Sequence, residues 1–267
     1  MILTSASPVG YSLVVLALMA YAVMGLSARW GTALTRSALL LAWAAHGATI
    51  AWGLWSGETR FGFAAALSIT AWLVLTVYAY ELQWFPQMRM RRVLAWMGAA
   101  AVVLAVVFPG TPLGPKASPW LGLHLVFGVG AYGLLAAAVV HARLMARAER
   151  LVRAGLSAPE ADVPVMTYER LTFRLVGAAF VLLSATLAAG WWFGETLYGP
   201  GGALRWDHKT IFSLLAWCTL AWLVVAHWRF GWRGRRALNT LYAGAALLLL
   251  AYVGSRFVLE VVLKRAV

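Results

Sequence analysis

The chain has 267 residues, 63% of them hydrophobic and only 12% charged, with a mean hydropathy of +0.78. No water-soluble domain of this length carries so much apolar surface, so composition points to a polytopic membrane protein. The net charge of +13 does not make a nucleic-acid surface, because the bases sit in short turns between apolar runs.

Eight apolar segments are each long enough to cross about 30 Å of hydrocarbon as a helix. They span approximately 9–28, 37–56, 61–80, 92–109, 119–143, 171–194, 209–230 and 237–260. The first run has no basic segment ahead of it and follows Pro8, so it reads as a retained helix rather than a cleaved signal. Of the 22 Lys and Arg, fifteen fall in the turns after helices one, three, five and seven, and seven fall on the other side. That excess predicts cytoplasmic basic turns and places both termini on the periplasmic side. The fifteen tryptophans and nine tyrosines suit a protein with two membrane–water interfaces to anchor.

Two loops exceed a turn. The cytoplasmic one, about 144–170, has mixed charge and a helix-start signal at Ser157-Ala158-Pro159-Glu160, which predicts extended helix ends and no separate domain. The external one, about 195–208, is punctuated by Gly199, Pro200, Gly201 and Gly202, a turn-rich lid candidate. The loop at 109–118 is punctuated in the same way. There is no short internal repeat, and residues 1–267 read as a single all-α membrane domain with eight transmembrane helices.

The chemistry-bearing residues are few. The single cysteine, Cys218, lies in an apolar run, which excludes an internal disulfide, a CxxC pair and a CxxCH haem-attachment site. No nucleophile–base motif, P-loop or dinucleotide fingerprint stands out, so catalysis by side chains alone is not indicated. The histidines remain, because titratable groups inside a bilayer are costly and usually face a site or a partner. His46 sits near the middle of the second helix, His227 in the cytoplasmic end of the seventh. His124 opens the fifth helix and His208 the seventh, both on the outer side, and His141 lies near the cytoplasmic end of the fifth.

Two intramembrane histidines on different helices are the usual protein side of a bis-imidazole haem site, which makes His46 and His227 candidate ligands of haem iron. The plain alternative is that each bonds to neighbouring hydroxyl or backbone groups. Zinc fits less well, since no Cys, Asp or Glu stands at metal spacing beside them. On the outer side, Trp191, Trp192, Phe193, Tyr198 and Trp206 supply aromatic surface, and Lys209 and Arg205 are cations that suit propionates. An ordinary aromatic belt would explain the same tryptophans. Asp207 has a plain role as N-cap of the seventh helix, and Gly128, Gly130 and Gly133 one in helix packing.

The segment RWDHKTIFSLLAW, followed by HWRFGWRGRRA, resembles the core of the cytochrome c assembly family, whose members carry a tryptophan-rich WWD signature. The likeness is nearest to the small eight-helix YpjD-type branch of the CcsA group. LHLVFGVGAYGLLAAAVVHARL and LYAGAALLLLAYVGSRFV resemble that branch too, so the match covers helices five to eight best. The resemblance implies a haem-handling protein of the bacterial inner membrane. In larger relatives a transmembrane histidine pair holds haem, and periplasmic histidines ligate it at the WWD surface for attachment to apocytochrome c. By position His46 and His227 match the transmembrane pair and His124 the first periplasmic histidine, a third candidate metal ligand. Trp206, Asp207, Lys209 and Trp217 match the signature.

This chain departs from the family pattern at two places. Trp206-Asp207-His208-Lys209 stands where members commonly read WDPK, and Gly254-Ser255-Arg256-Phe257-Val258 replaces the second periplasmic histidine. His208 is the candidate substitute for that ligand. The expectation is therefore a non-enzymatic carrier or accessory factor that binds b-type haem and handles it towards the periplasmic face. Its partners would be the lipid bilayer, haem, other cytochrome c assembly proteins, apocytochrome c or another membrane protein. The alternative is a scaffold or regulatory partner of a membrane protein that keeps the fold without haem transfer. A small-molecule transporter ranks last, for want of broken helices and midplane charged pairs.

Overall fold

The computed structural model of the protein describes residues 8–26, 32–55, 60–84, 90–112, 119–155, 164–194 and 206–263. The helix-start signal at 157–160, Tyr198, Arg205 and most of the lid candidate lie outside the described residues.

Eight long helices dominate: α1 (Pro8–Leu26), α2 (Thr32–Trp55), α3 (Phe63–Glu81), α4 (Arg91–Val107), α5 (Pro119–Arg153), α6 (Val165–Trp192), α7 (His208–Phe230) and α8 (Gly234–Leu249). Among the described residues seven spans are long and apolar enough to cross a membrane. The eighth helix, α4, has 17 residues, a rise of about 26 Å at 1.5 Å per residue. The protein is thus an all-α, polytopic membrane protein.

Around residues 144–170 the helix ends are extended, as the sequence predicts. Helices α5 and α6 run well past their apolar spans, to Arg153 and from Val165. Helix-favouring polar residues carry α5 on, with Arg150 bonded back to the Ala146 carbonyl and Arg153 paired with Glu149 at 3.4 Å. Hydropathy marks where a chain leaves lipid, not where its helix ends. The last span is not one regular helix. Beyond α8 come a π-helical turn at Leu250–Gly254, an α turn at Ser255–Phe257 and a second π turn at Val258–Val262.

The residues cluster into two compact units, one of Met1–Pro115 with Arg256–Val267 and one of Lys116–Ser255. In the first, α1 packs on α2 and α4, and α3 packs on the same two, closing a ring of four helices. One layer draws on all four helices: the Tyr21 hydroxyl of α1 lies 2.6 Å from His46 Nδ1 of α2, and His46 Nε2 lies 2.8 Å from Ser68 Oγ of α3. Tyr21 in turn lies on the bare backbone of α4 at Gly98, where an added Cβ would stand 2.3 Å from the ring. A second seam joins α2 to α3 through Trp43 and Trp72, which stack at 5.6 Å. Trp72 Nε1 donates to the Trp43 carbonyl and Trp43 Nε1 to Thr76 Oγ1.

Short strands β1 (Arg60–Phe61) and β2 (Thr111–Pro112) pair antiparallel at one end of this unit. Gly110 takes φ +79° there, and a Cβ on it would stand 2.7 Å from the backbone at Phe61 and Gly62. The Glu260 carboxylate lies against Gly62 and accepts from the Phe63 N–H, which caps α3 from a distant part of the chain.

In the second unit α5 packs on α6 and α8, and α7 packs on the same two. Trp217 Nε1 of α7 donates to Ser184 Oγ of α6 at 2.8 Å, and Gly244 of α8 lies against Leu220. The Tyr132 hydroxyl of α5 donates to the Leu248 carbonyl just ahead of the first π turn. Ser255 Oγ donates to the Ala251 and Tyr252 carbonyls within and after it.

Replacing Gly98 with Ala should displace Tyr21 and cost about 1–3 kcal/mol, read as a lower melting temperature in detergent. Gly122→Ala, whose new Cβ meets nothing within 4 Å, is the control and should leave it unchanged.

Candidate functional site

The candidate residues fall in three places. His46 is in the first unit and 0% exposed, between Tyr21 and Ser68, themselves 1% exposed. Its own helix adds a bond, Thr49 Oγ1 to the His46 carbonyl at 2.7 Å. Both ring nitrogens therefore have hydroxyl partners.

His227 is in the second unit, in the last turn of α7. Its ring stacks face to face on Phe173 of α6, with centroids 3.4 Å apart and planes 9° from parallel. The helix ends at Gly231 in the left-handed region, φ +63°, and the Trp232 N–H returns to the Ala226 carbonyl. This Schellman-type reversal brings the Trp232 carbonyl to 2.9 Å from His227 Nδ1. A carbonyl only accepts, so Nδ1 carries the proton and the neutral ring keeps its lone pair at Nε2. A backbone carbonyl on one ring nitrogen is the kind of contact that orients a metal-binding imidazole. The adjoining turn is pinned by Arg233 to Glu169 of α6 at 3.0 Å.

The third place is the opposite end of the second unit. His124 of α5 faces α6, where the Thr186 carbonyl accepts from its ring and a Cβ on Gly190 would stand 3.4 Å from Cε1. Lys209, in the first turn of α7, is within electrostatic range of His124 and holds its ammonium 5.4 Å from the centre of the Tyr252 ring. Trp120 stacks on Phe193 at 4.0 Å and closes α5 against the end of α6. Around this end Trp191, Trp192 and Trp206 are 71%, 84% and 69% exposed, a large area of uncovered indole.

His208, the first residue of α7, is exposed, and Asp207 caps that helix by accepting from the Thr210 N–H at 2.9 Å. Partial burial alone would raise the Asp207 carboxyl. The hydrogen bonds from Thr210 and the charges of Lys209 and His208 outweigh it and hold the group below its ordinary value. His141, near the far end of α5, is buried beside Tyr168 of α6, away from the indoles.

The chain was then compared with known proteins. The model of the family described as "Cytochrome C assembly protein" matches residues 31–263. The chain belongs to that family. It is 36% identical over 146 residues, 54% of this chain and 53% of the relative, to an uncharacterized 28.8 kDa protein of Azospirillum brasilense. It is 30% identical over 148 residues, 55% of each, to the inner membrane protein YpjD of Escherichia coli strain K12. A cytochrome c biogenesis protein CcsA of Gloeobacter violaceus is 30% identical over 95 residues, 35% of this chain and 27% of the relative. The chain thus spans about half the length of the first relatives and places itself in the family's YpjD-type branch. No solved structure matches. Its apolar helices and these relatives make it a multi-pass inner-membrane protein.

The family implies haem, and the three places differ in how they suit it. A haem ligand needs an imidazole nitrogen with an uncommitted lone pair, and the macrocycle needs apolar faces. His227 supplies the first through Nε2. The His124 end supplies an imidazole, uncovered indoles and a cation for propionates. His46 has neither nitrogen uncommitted.

The sequence reading missed Tyr21, Ser68, Phe173, Gly190, Trp232 and Tyr252. Only Tyr21 and Ser68 carried a signal, as hydroxyls inside apolar runs. The other four contribute a ring face, a bare backbone or a carbonyl, which no motif marks.

Asp207→Ala should cost about 1 kcal/mol at neutral pH through the lost cap, measured as a fall in melting temperature. Because the folded carboxyl is held low, its stabilisation is complete above the ordinary carboxylate range and is lost as pH falls through the lower folded value. The difference between wild type and variant should therefore shrink in acid.

Proposed function

We propose that this protein handles haem in cytochrome c biogenesis, binding it at the His124 end of the second unit and presenting it towards the periplasmic face. Family membership supports a role in cytochrome c biogenesis. The observation that carries the finer reading is the clustering of His124, Lys209 and Tyr252 beside the uncovered Trp191, Trp192 and Trp206. The indoles would offer apolar surface to haem, Lys209 would offer a cation to a propionate, and Asp207 holds the first turn of α7 in place. His124 is the iron ligand here, and His208 on the neighbouring helix start is the candidate for the second. When bound, b-type haem supplies the iron chemistry, while the protein fixes its position and excludes water. The bias of Lys and Arg to alternate turns supports an outer position for this end. His227, with Nδ1 held by the Trp232 carbonyl, would be the ligand at the opposite end of α7.

Apocytochrome c and other assembly proteins are the partners this reading requires. One feature favours a second reading, a scaffold for another membrane protein that keeps the fold without haem transfer. No histidine stands at Gly254–Val258, where larger relatives place their second periplasmic one.

Protein purified in detergent from haem-replete cells should show the reduced visible bands of a b-type haem. His124→Ala should weaken haem retention about tenfold or more, with a shift of the bands, and His227→Ala should remove a separate fraction. A colourless wild-type protein would sink the haem reading and leave the scaffold.

A further inference from the structure

We propose that His46 is not an iron ligand but the hub of a buried hydrogen-bonded layer that fixes the four helices of the first unit. It follows that the haem handling proposed above is confined to the second unit.

Three observations carry this. The Tyr21 hydroxyl and Ser68 Oγ approach the two ring nitrogens at 2.6 and 2.8 Å from opposite edges of the imidazole. A hydroxyl both donates and accepts, so either neutral tautomer is fully satisfied, and the ring needs no metal to sit in an apolar interior. Iron at Nε2 would have to displace Ser68 and iron at Nδ1 would have to displace Tyr21. Either change strands a hydroxyl where no water reaches it.

The surroundings are also closely packed. The first two turns of α3 bury Ala64, Ala65, Ala66 and Ser68, small residues that let helix backbones approach closely. Across the layer Tyr21 rests on Gly98, where even a methyl group would collide. One residue from each helix thus meets at one level, and His46 is the member that touches two others by hydrogen bond. Its chemistry is bridging: an imidazole presents nitrogens on two edges, which lets one side chain tie α1 and α3 to α2. Ala can replace neither bond, whereas Gln keeps a donor and an acceptor.

The full-length protein in detergent provides the test, with Tyr21→Phe, Ser68→Ala, His46→Ala and their double variants. Each single variant should lower the melting temperature by about 3–8 °C. Adding Tyr21→Phe to His46→Ala should cost clearly less than the sum, because both remove the same bond. Strict additivity would overturn the hub. Tyr21→Phe and Ser68→Ala change one hydroxyl each and keep the cycle readable if His46→Ala folds poorly.

The spectroscopic arm rests on the haem reading. His46→Gln should retain haem per protein and the reduced band positions of wild type. A His46→Gln protein that melts like wild type and has lost its haem bands would overturn the proposal. If the wild type is colourless the haem reading falls, and the thermal cycle still decides the hub.

Discussion

Inside a bilayer a polar side chain can bond only to protein, and each unsatisfied group costs several kcal/mol. The structure is arranged around that constraint. Some hydroxyls in the spans bond back to their own helix, as Thr172, Thr186 and Thr219 do, and others bridge helices. Tyr21, His46 and Ser68 join α1, α2 and α3. Trp43 bonds to Thr76 across α2 and α3, and Trp217 to Ser184 across α6 and α7. Tyr132 ties α5 to the end of α8. Lipid tails are as apolar as leucine, so apolar contact alone gives neighbouring helices little preference for one another. Hydrogen bonds of this kind, with close packing, select the partners.

Close packing needs bare backbone at the crossing points. Gly98 receives Tyr21, Gly47 receives Trp72 and Gly244 receives Leu220, each at a distance where a Cβ would crowd or collide. Large side chains and glycines are thus used as pairs, one filling what the other vacates. Tryptophan suits this use twice over, because its ring supplies area and its single N–H supplies direction.

The apolar runs made the helices legible in the sequence. Their pairing was not, since it depends on which glycine lies opposite which ring. Hydropathy also hid the π turns after Leu249, because i→i+5 bonding leaves no compositional trace. The same holds for the candidate residues. His46 stood out as a polar group in an apolar run, which correctly marks it as needing partners. Its neighbours Tyr21 and Ser68 decide what kind, and they are 25 and 22 residues away in sequence. Asp207 was readable as a cap from local pattern alone, and the structure has it in that place. The backbone carbonyl that orients His227 arises from a left-handed Gly231, and a glycine after an apolar run is a known stop signal. That the reversal would return a carbonyl to the imidazole follows only from the geometry.

The chain after α8 bears on how an outer ligand set can be built. In the segment after α8, Ser255 is bonded back to its own helix and Arg256 lies in a 3.8 Å ion pair with Glu260. Glu260 in turn lies on Gly62 and takes the Phe63 N–H at the start of α3. Every polar residue of that segment therefore has structural work, and none is of a type that ligates haem iron readily. On the haem handling proposed above, a second imidazole for the His124 end would come from elsewhere in the second unit, and α7 is the helix whose first residue is a histidine. His208 follows the Asp207 cap directly and shares the first turn of α7 with Lys209, which is why the proposal takes it as the candidate for that ligand.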